Sequence, residues 1–221
     1  MKKASWITIG ILSTLVGLYP IIYFLIDRRF GLLSSKSVEL LNDNLWNIAF
    51  YGHITFGGLA LLIGWLQFSN KLRIKKMELH RIFGKTYVIS VLISGVFGLY
   101  IALYATGGII SILGFFTLGL FWLTTTILGF KSIKKRDIKS HEKFMFFSYA
   151  ACFAAVTLRI WLPLLTIALG ESNSAYRIVA WLCWVPNIIV AILILRNKKT
   201  VRTKMVELGY RQNHKEHSEP Y

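Results

Sequence analysis

The chain has 221 residues, 55% of them hydrophobic, and a mean hydropathy of +0.54. That composition excludes an ordinary soluble globular domain. The net charge of +16 lies just outside apolar runs, where it sets membrane orientation and attracts anionic lipid headgroups, so nucleic acid is not expected as a partner.

Six apolar runs are each long enough to cross a bilayer as a helix. They cover about 6–26, 48–68, 86–105, 109–130, 144–169 and 176–195. The fold expected is all-α: a six-span transmembrane helical bundle forming a single domain over 1–200, followed by a polar tail at 201–221 that composition predicts to be disordered.

The first run follows Lys2 and Lys3, as in a signal peptide, but it is too long for the apolar core of one. No small-residue cleavage site follows, and Asp27-Arg28-Arg29 comes directly after, so an uncleaved span is expected. Between the third and fourth runs, Thr106-Gly107-Gly108 is a tight polar break suited to a helical hairpin. The fifth and sixth runs carry Pro163 and Pro186, which a membrane helix tolerates as kinks. Cys152 and Cys183 fall in different spans and are expected to be buried thiols rather than a disulfide or a metal site.

Lysines and arginines alternate strongly between the two sides. The N-terminal segment, the 69–85 and 131–143 loops and the tail from Arg196 carry 21 of them, against four (Arg28, Arg29, Lys36 and Arg177) on the other side. The excess predicts cytoplasmic N- and C-termini. His214 and His217 lie in the charged tail and are not expected to bind metal. Ile74–His80 and Ile133–Ile138 are two similar basic stretches, each leading to a histidine followed by a phenylalanine three residues on (His80 to Phe83, His141 to Phe144). The echo fits either a duplicated helix pair or two basic loops obeying one charge rule.

Helical periodicity sorts the faces. One stripe of the second span reads His53, Gly57, Ala60, Gly64, Gln67. The third reads His80, Gly84, Tyr87, Ser94, Gly98, and the fifth His141, Ser148, Cys152, Ala155, Arg159. These small and polar stripes predict that the three helices converge on a common interior, since close packing needs small residues and unpartnered polar groups avoid lipid. A rise of about 1.5 Å per residue puts His53 roughly 10 Å inside the outer boundary, with Arg159 in the same half. His80, Arg81, His141 and Gln67 lie near the cytoplasmic interface. No carboxylate falls in a span core, so Arg159 either reaches the outer headgroups or meets an anionic ligand. A neutral His53 has a purely structural option as well, a hydrogen bond to Thr55, Asn187 or a backbone carbonyl.

The combination of His53-x-x-x-Gly57, Gln67, His80-Arg81-x-x-Gly84-x-x-Tyr87, His141-x-x-x-Met145 and Arg159 resembles the predicted bacterial membrane proteins of the domain-of-unknown-function 2306 family. The resemblance covers about residues 48 to 160 and implies a multi-span bacterial membrane protein with no established activity. One departure is the Glu-Lys-Phe-Met segment after His141, where an aromatic and a further basic residue are expected around the methionine.

Three functional readings stand open. In the first, a redox protein binds b-type haem or quinone: His80 and His141 supply axial ligands to a haem iron, Arg81 meets a propionate, and His53 with Arg159 holds a quinone. In the second, a transporter takes a small anion at Arg159, with Gln67 and Tyr87 as further substrate- or anion-binding candidates. In the third, a structural or assembly protein uses its histidines only as interhelical bonds. Expected partners are the bilayer with its anionic cytoplasmic headgroups and a second copy or a redox partner. Metal-assisted hydrolysis is not expected, because there is no H-x-x-x-H and no paired carboxylates.

Overall fold

A computed structural model describes residues 3–26 and 31–197. The 201–221 tail with its two histidines, and the Asp27-Arg28-Arg29 segment, lie outside the described residues. Six helical segments are long and apolar enough to cross a membrane: Ala4–Leu25, Asn44–Phe68, Met77–Ala102, Ile109–Lys134, Ile138–Leu169 and Ser172–Asn197. Among the described residues there is no strand, as the sequence predicts.

The first span is α1 (Lys3–Leu18), a single 3-10 turn at Tyr19–Ile21 containing the buried Pro20, and α2 (Ile22–Leu25). A 3-10 turn at Gly31–Ser35 and α3 (Val38–Asn42) then cross one end of the bundle. Asp43 starts α4 (Asn44–Gly64) by accepting from the amides of Leu45 and Trp46 at 2.8 and 3.3 Å, satisfying two of the donors every helix start leaves over. After α5 (Asn70–Lys75) comes α6 (Met77–Ala102). Gly107 and Gly108, with φ of +95° and +74°, make the sharp turn into α7 (Ile109–Lys134). These are positions where a side chain would be strained.

The helices begin earlier than the apolar windows. α6 starts at Met77 rather than 86, and α8 (Ile138–Cys152) starts at Ile138 rather than 144. Their first turns are polar, so a hydropathy window misses them. The Asp137 carboxylate marks the second start by accepting from the Ser140 amide at 3.0 Å. Both similar basic stretches thus end in a short break, and His80 and His141 are each the fourth residue of the helix that follows.

The fifth span is divided. α8 ends at Cys152, Phe153 turns, and α9 (Ala154–Leu169) continues past Pro163 without a break. The sixth is divided too. α10 (Ser172–Leu182) is followed by a break at Cys183 and Trp184, and a further helix runs over 185–197. Pro186 falls in the first turn of that last helix, where the lack of an N–H is tolerated. The Cys183 carbonyl at the break accepts from Asn187 Nδ2 at 2.9 Å and from the Thr157 hydroxyl.

The packing order closes a ring: α1 on α4, α4 on α6, α6 on α7, α7 on α10, α10 on α9 and α9 back on α1, with α8 between α7 and α4. Small residues set the closest crossings. A Cβ on Gly58 of α4 would lie 2.6 Å from the Gly17 carbonyl oxygen of α1, and one on Gly64 would lie 2.6 Å from the Tyr149 ring. Buried hydroxyls bond the centre. Tyr87 meets Ser148 at 2.8 Å, Ser148 meets Thr126 at 2.6 Å, and Tyr149 meets Ser13 at 2.7 Å. The convergence of the second, third and fifth spans predicted from the stripes is thereby present.

The crossing segment is fastened by Lys36. Its ammonium donates to the Tyr104 carbonyl and, at 3.1 Å, to the Thr106 hydroxyl on the α6–α7 turn. Burial brings the Lys36 ammonium down to about 8.

Two outcomes follow from this packing. Gly58→Val should lower the thermal midpoint of the detergent-purified protein, an overpacking penalty of about 1–3 kcal/mol, because the group it meets is backbone. Gly84→Ala should leave the midpoint unchanged, since nothing lies nearer than 3.5 Å to its Cβ. Between pH 8 and the ordinary lysine value of 10.5, the unfolded chain holds a proton that folded Lys36 has shed, so stability rises with pH across that window. Thermal midpoints at pH 7.5 and 10 should rise more in the wild type than in Lys36→Met.

Candidate functional site

The ring of helices encloses a cavity of about 240 Å³, whose lining includes Leu33 and Lys36 of the segment that crosses one end of the bundle. Its walls come from all six spans. Gly57, Gly58, Gly95, Gly98 and Gly119 provide room, while Phe50, Leu61, Phe115 and Trp122 make the surface mainly apolar. The polar groups are few: His53, Arg159, Lys36, Tyr176 and Trp46. Among the described residues no carboxylate lines it.

His53 is held by α6. Its Nδ1 lies 2.9 Å from the Ser94 carbonyl and 3.1 Å from the Ser94 hydroxyl, which itself donates to the His53 carbonyl at 2.9 Å. This is the backbone-carbonyl partner among the options open in the sequence; Asn187 is engaged elsewhere, with Ala150, Thr157 and Cys183. Gly98 makes the approach feasible, since a Cβ there would lie 2.8 Å from His53 Nδ1. Nε2 has no hydrogen-bond partner among the described residues.

Arg159, partly exposed, lines the same cavity. One terminal nitrogen donates to the Ala155 carbonyl at 2.8 Å, and the guanidinium carbon sits 4.6 Å from the centre of the Tyr19 ring. Its Nε is buried without a partner, and so is the indole nitrogen of Trp46. Arg159 acts electrostatically on His53. Among the described residues the only ion pair is Arg73–Glu142, at 2.7 Å.

The basic end of the bundle holds the second group of candidates. His141 Nδ1 lies 2.9 Å from the Gly129 carbonyl of α7. Met145, one turn on, seats its sulfur against the same glycine. His80 lies within electrostatic reach of His141, Arg73 and Arg81. The His80 Nδ1 and the Gln67 side-chain nitrogen are buried without partners. Gln67 faces Gly84. Arg81 is exposed. Tyr87 is 1% exposed and sealed among Ser148, Trp122 and Gly64.

The structure therefore brings His53 and Arg159 to one cavity and His80, His141 and Gln67 to the other end. Tyr87 and Gln67 do not line the cavity with Arg159. Cys152 and Cys183 are free and buried, and both line the cavity. Among the described residues no group of three His, Cys, Asp or Glu is placed to hold a metal ion. Lys36, Trp46 and Tyr176 were not legible as site residues. The first is one lysine in a loop, and the aromatics are two among many. Arg73 and Glu142 escaped for a similar reason, since their pairing is visible only once α5 folds against α8.

No curated protein and no solved structure matches the chain. The model of a family described as predicted membrane protein (DUF2306) matches residues 50–195. That stretch contains every element of the His–Gly–Gln–His–Arg pattern and most of the cavity wall, and on this match the chain belongs to the domain-of-unknown-function 2306 family of membrane proteins.

Proposed function

We propose that this membrane protein is a redox protein whose cavity takes the ring of a quinone-type molecule between His53 and Arg159. The observation that carries the reading is the pairing of a guanidinium and an imidazole, Arg159 and His53, on the lining of one mainly apolar cavity, with His53 Nε2 left without a hydrogen-bond partner among the described residues. A polar group buried without a partner is costly, and a polar ring head removes that cost. The volume is below the roughly 300–1,000 Å³ of sites for drug-sized molecules, so it suits one ring with its tail leading outward. A transported anion remains the competing occupant, because the lining cations face no carboxylate. The 21-to-4 distribution of basic residues supports cytoplasmic termini, which puts the Lys36 end of the cavity on the outer side of what the family resemblance implies is a bacterial plasma membrane.

A short-chain benzoquinone should raise the thermal midpoint of the detergent-purified wild type, and Arg159→Leu should abolish the shift. A shift with benzoate and none with the quinone would favour anion transport.

A b-type haem is a second reading, supported by one specific feature. The His141 Nδ1 contact to the Gly129 carbonyl leaves Nε2 as the metal-binding nitrogen, the arrangement found behind most ligating imidazoles. His80 would supply a second nitrogen to hold the group and the exposed Arg81 would meet its carboxylates; the group would supply one-electron chemistry. Protein from haem-replete cells should show a Soret band that His141→Ala removes. A colourless preparation retaining the quinone shift would sink the haem reading and leave the first intact.

A further inference from the structure

We infer that His53 makes the cavity selective for a head that donates one hydrogen bond and accepts another, so that a quinol or phenol binds in preference to the corresponding quinone. The inference rests on the reading of the cavity as a ring-binding site. A carbonyl oxygen can only accept, so the 2.9 Å contact to Ser94 O requires the proton on His53 Nδ1. The Ser94 hydroxyl spends its hydrogen on the His53 carbonyl, so it too meets Nδ1 as an acceptor. Both contacts impose one tautomer, and the close approach at Gly98 holds the ring in place.

Nε2 is then a bare lone pair. A second proton would place a like charge beside Arg159 in a cavity whose lining, among the described residues, holds no carboxylate to balance it. Arg159, on the lining of the same cavity, offers the opposite chemistry, since a guanidinium can only donate. One wall accepts and another donates. A quinol or phenol hydroxyl gives its hydrogen to Nε2, and its oxygen or a second ring oxygen takes the Arg159 hydrogen. A quinone satisfies Arg159 with one carbonyl but turns only lone pairs toward Nε2, leaving a buried acceptor unpaired. No electron transfer is needed for this preference, which concerns binding alone.

The test uses the full chain in detergent under argon, titrated with a decyl-benzoquinone in its reduced and oxidised forms and followed by thermal shift. The reduced form should bind about tenfold more tightly. A redox-free pair, 4-decylphenol and its methyl ether, should show the same order. In His53→Gln, an amide that can turn either its N–H or its carbonyl to the ligand, the ratio should fall to about one. Equal or tighter binding of the quinone by the wild type overturns the inference while leaving the cavity as a ring site. Binding of none of these probes overturns both. Should His53→Gln fail to fold, the phenol and ether comparison on the wild-type chain decides by itself.

Discussion

A guanidinium inside a bilayer has to find its partners within the protein, and the placement of Arg159 follows from that requirement. Insertion scales put the cost of an arginine at the centre of a membrane helix near 3 kcal/mol. A cation over a desolvated aromatic ring returns about 2 kcal/mol, and a hydrogen bond to a charged group about the same. The Tyr19 ring and the Ala155 carbonyl supply one of each. Among the described residues no carboxylate joins Arg159 on the cavity lining, and the charge is held by these two contacts. A buried Asp or Glu would have stabilised the charge and removed the feature that distinguishes the site.

The glycines serve close approach and line the cavity at once. Gly64 and Gly58 of α4 lie in crossings where a tyrosine ring or backbone leaves no space for a methyl group, and a Cβ on Gly95 or Gly98 of α6 would meet Leu123 at 2.5 Å or His53 at 2.8 Å. Gly57, Gly58, Gly95 and Gly98 also line the cavity. Small residues at helix interfaces normally serve close approach, and here that approach sets the His53 ring against the backbone of α6.

Much of this was readable in the chain. The six spans, the interior stripes and the shared half for His53 and Arg159 all follow from periodicity and from the avoidance of lipid by polar atoms. The starts of α6 and α8 were not, because an amphipathic first turn has no hydropathy signature. Nor were the cavity groups supplied from outside the stripes. Tyr19, Lys36 and Tyr176 reach the site because α1, the 31–42 segment and α10 fold around it, and no spacing within those segments encodes the neighbour they meet. The partner of His53 lay within the predicted stripes, since Ser94 was on the matching face of the third span. That it bonds through its carbonyl is a matter of backbone depth, to which a residue pattern is blind.

The turn at Phe153 has a mechanical consequence. It cuts one crossing into two rods with separate moorings: α8 is fixed to α7 and α4 at the basic end, whereas α9, which bears Arg159, is tied to α10 and α1. The Arg159 guanidinium is thus positioned by the helices that hold α9, whereas the Tyr87–Ser148–Thr126 hydroxyls are positioned by those that hold α8.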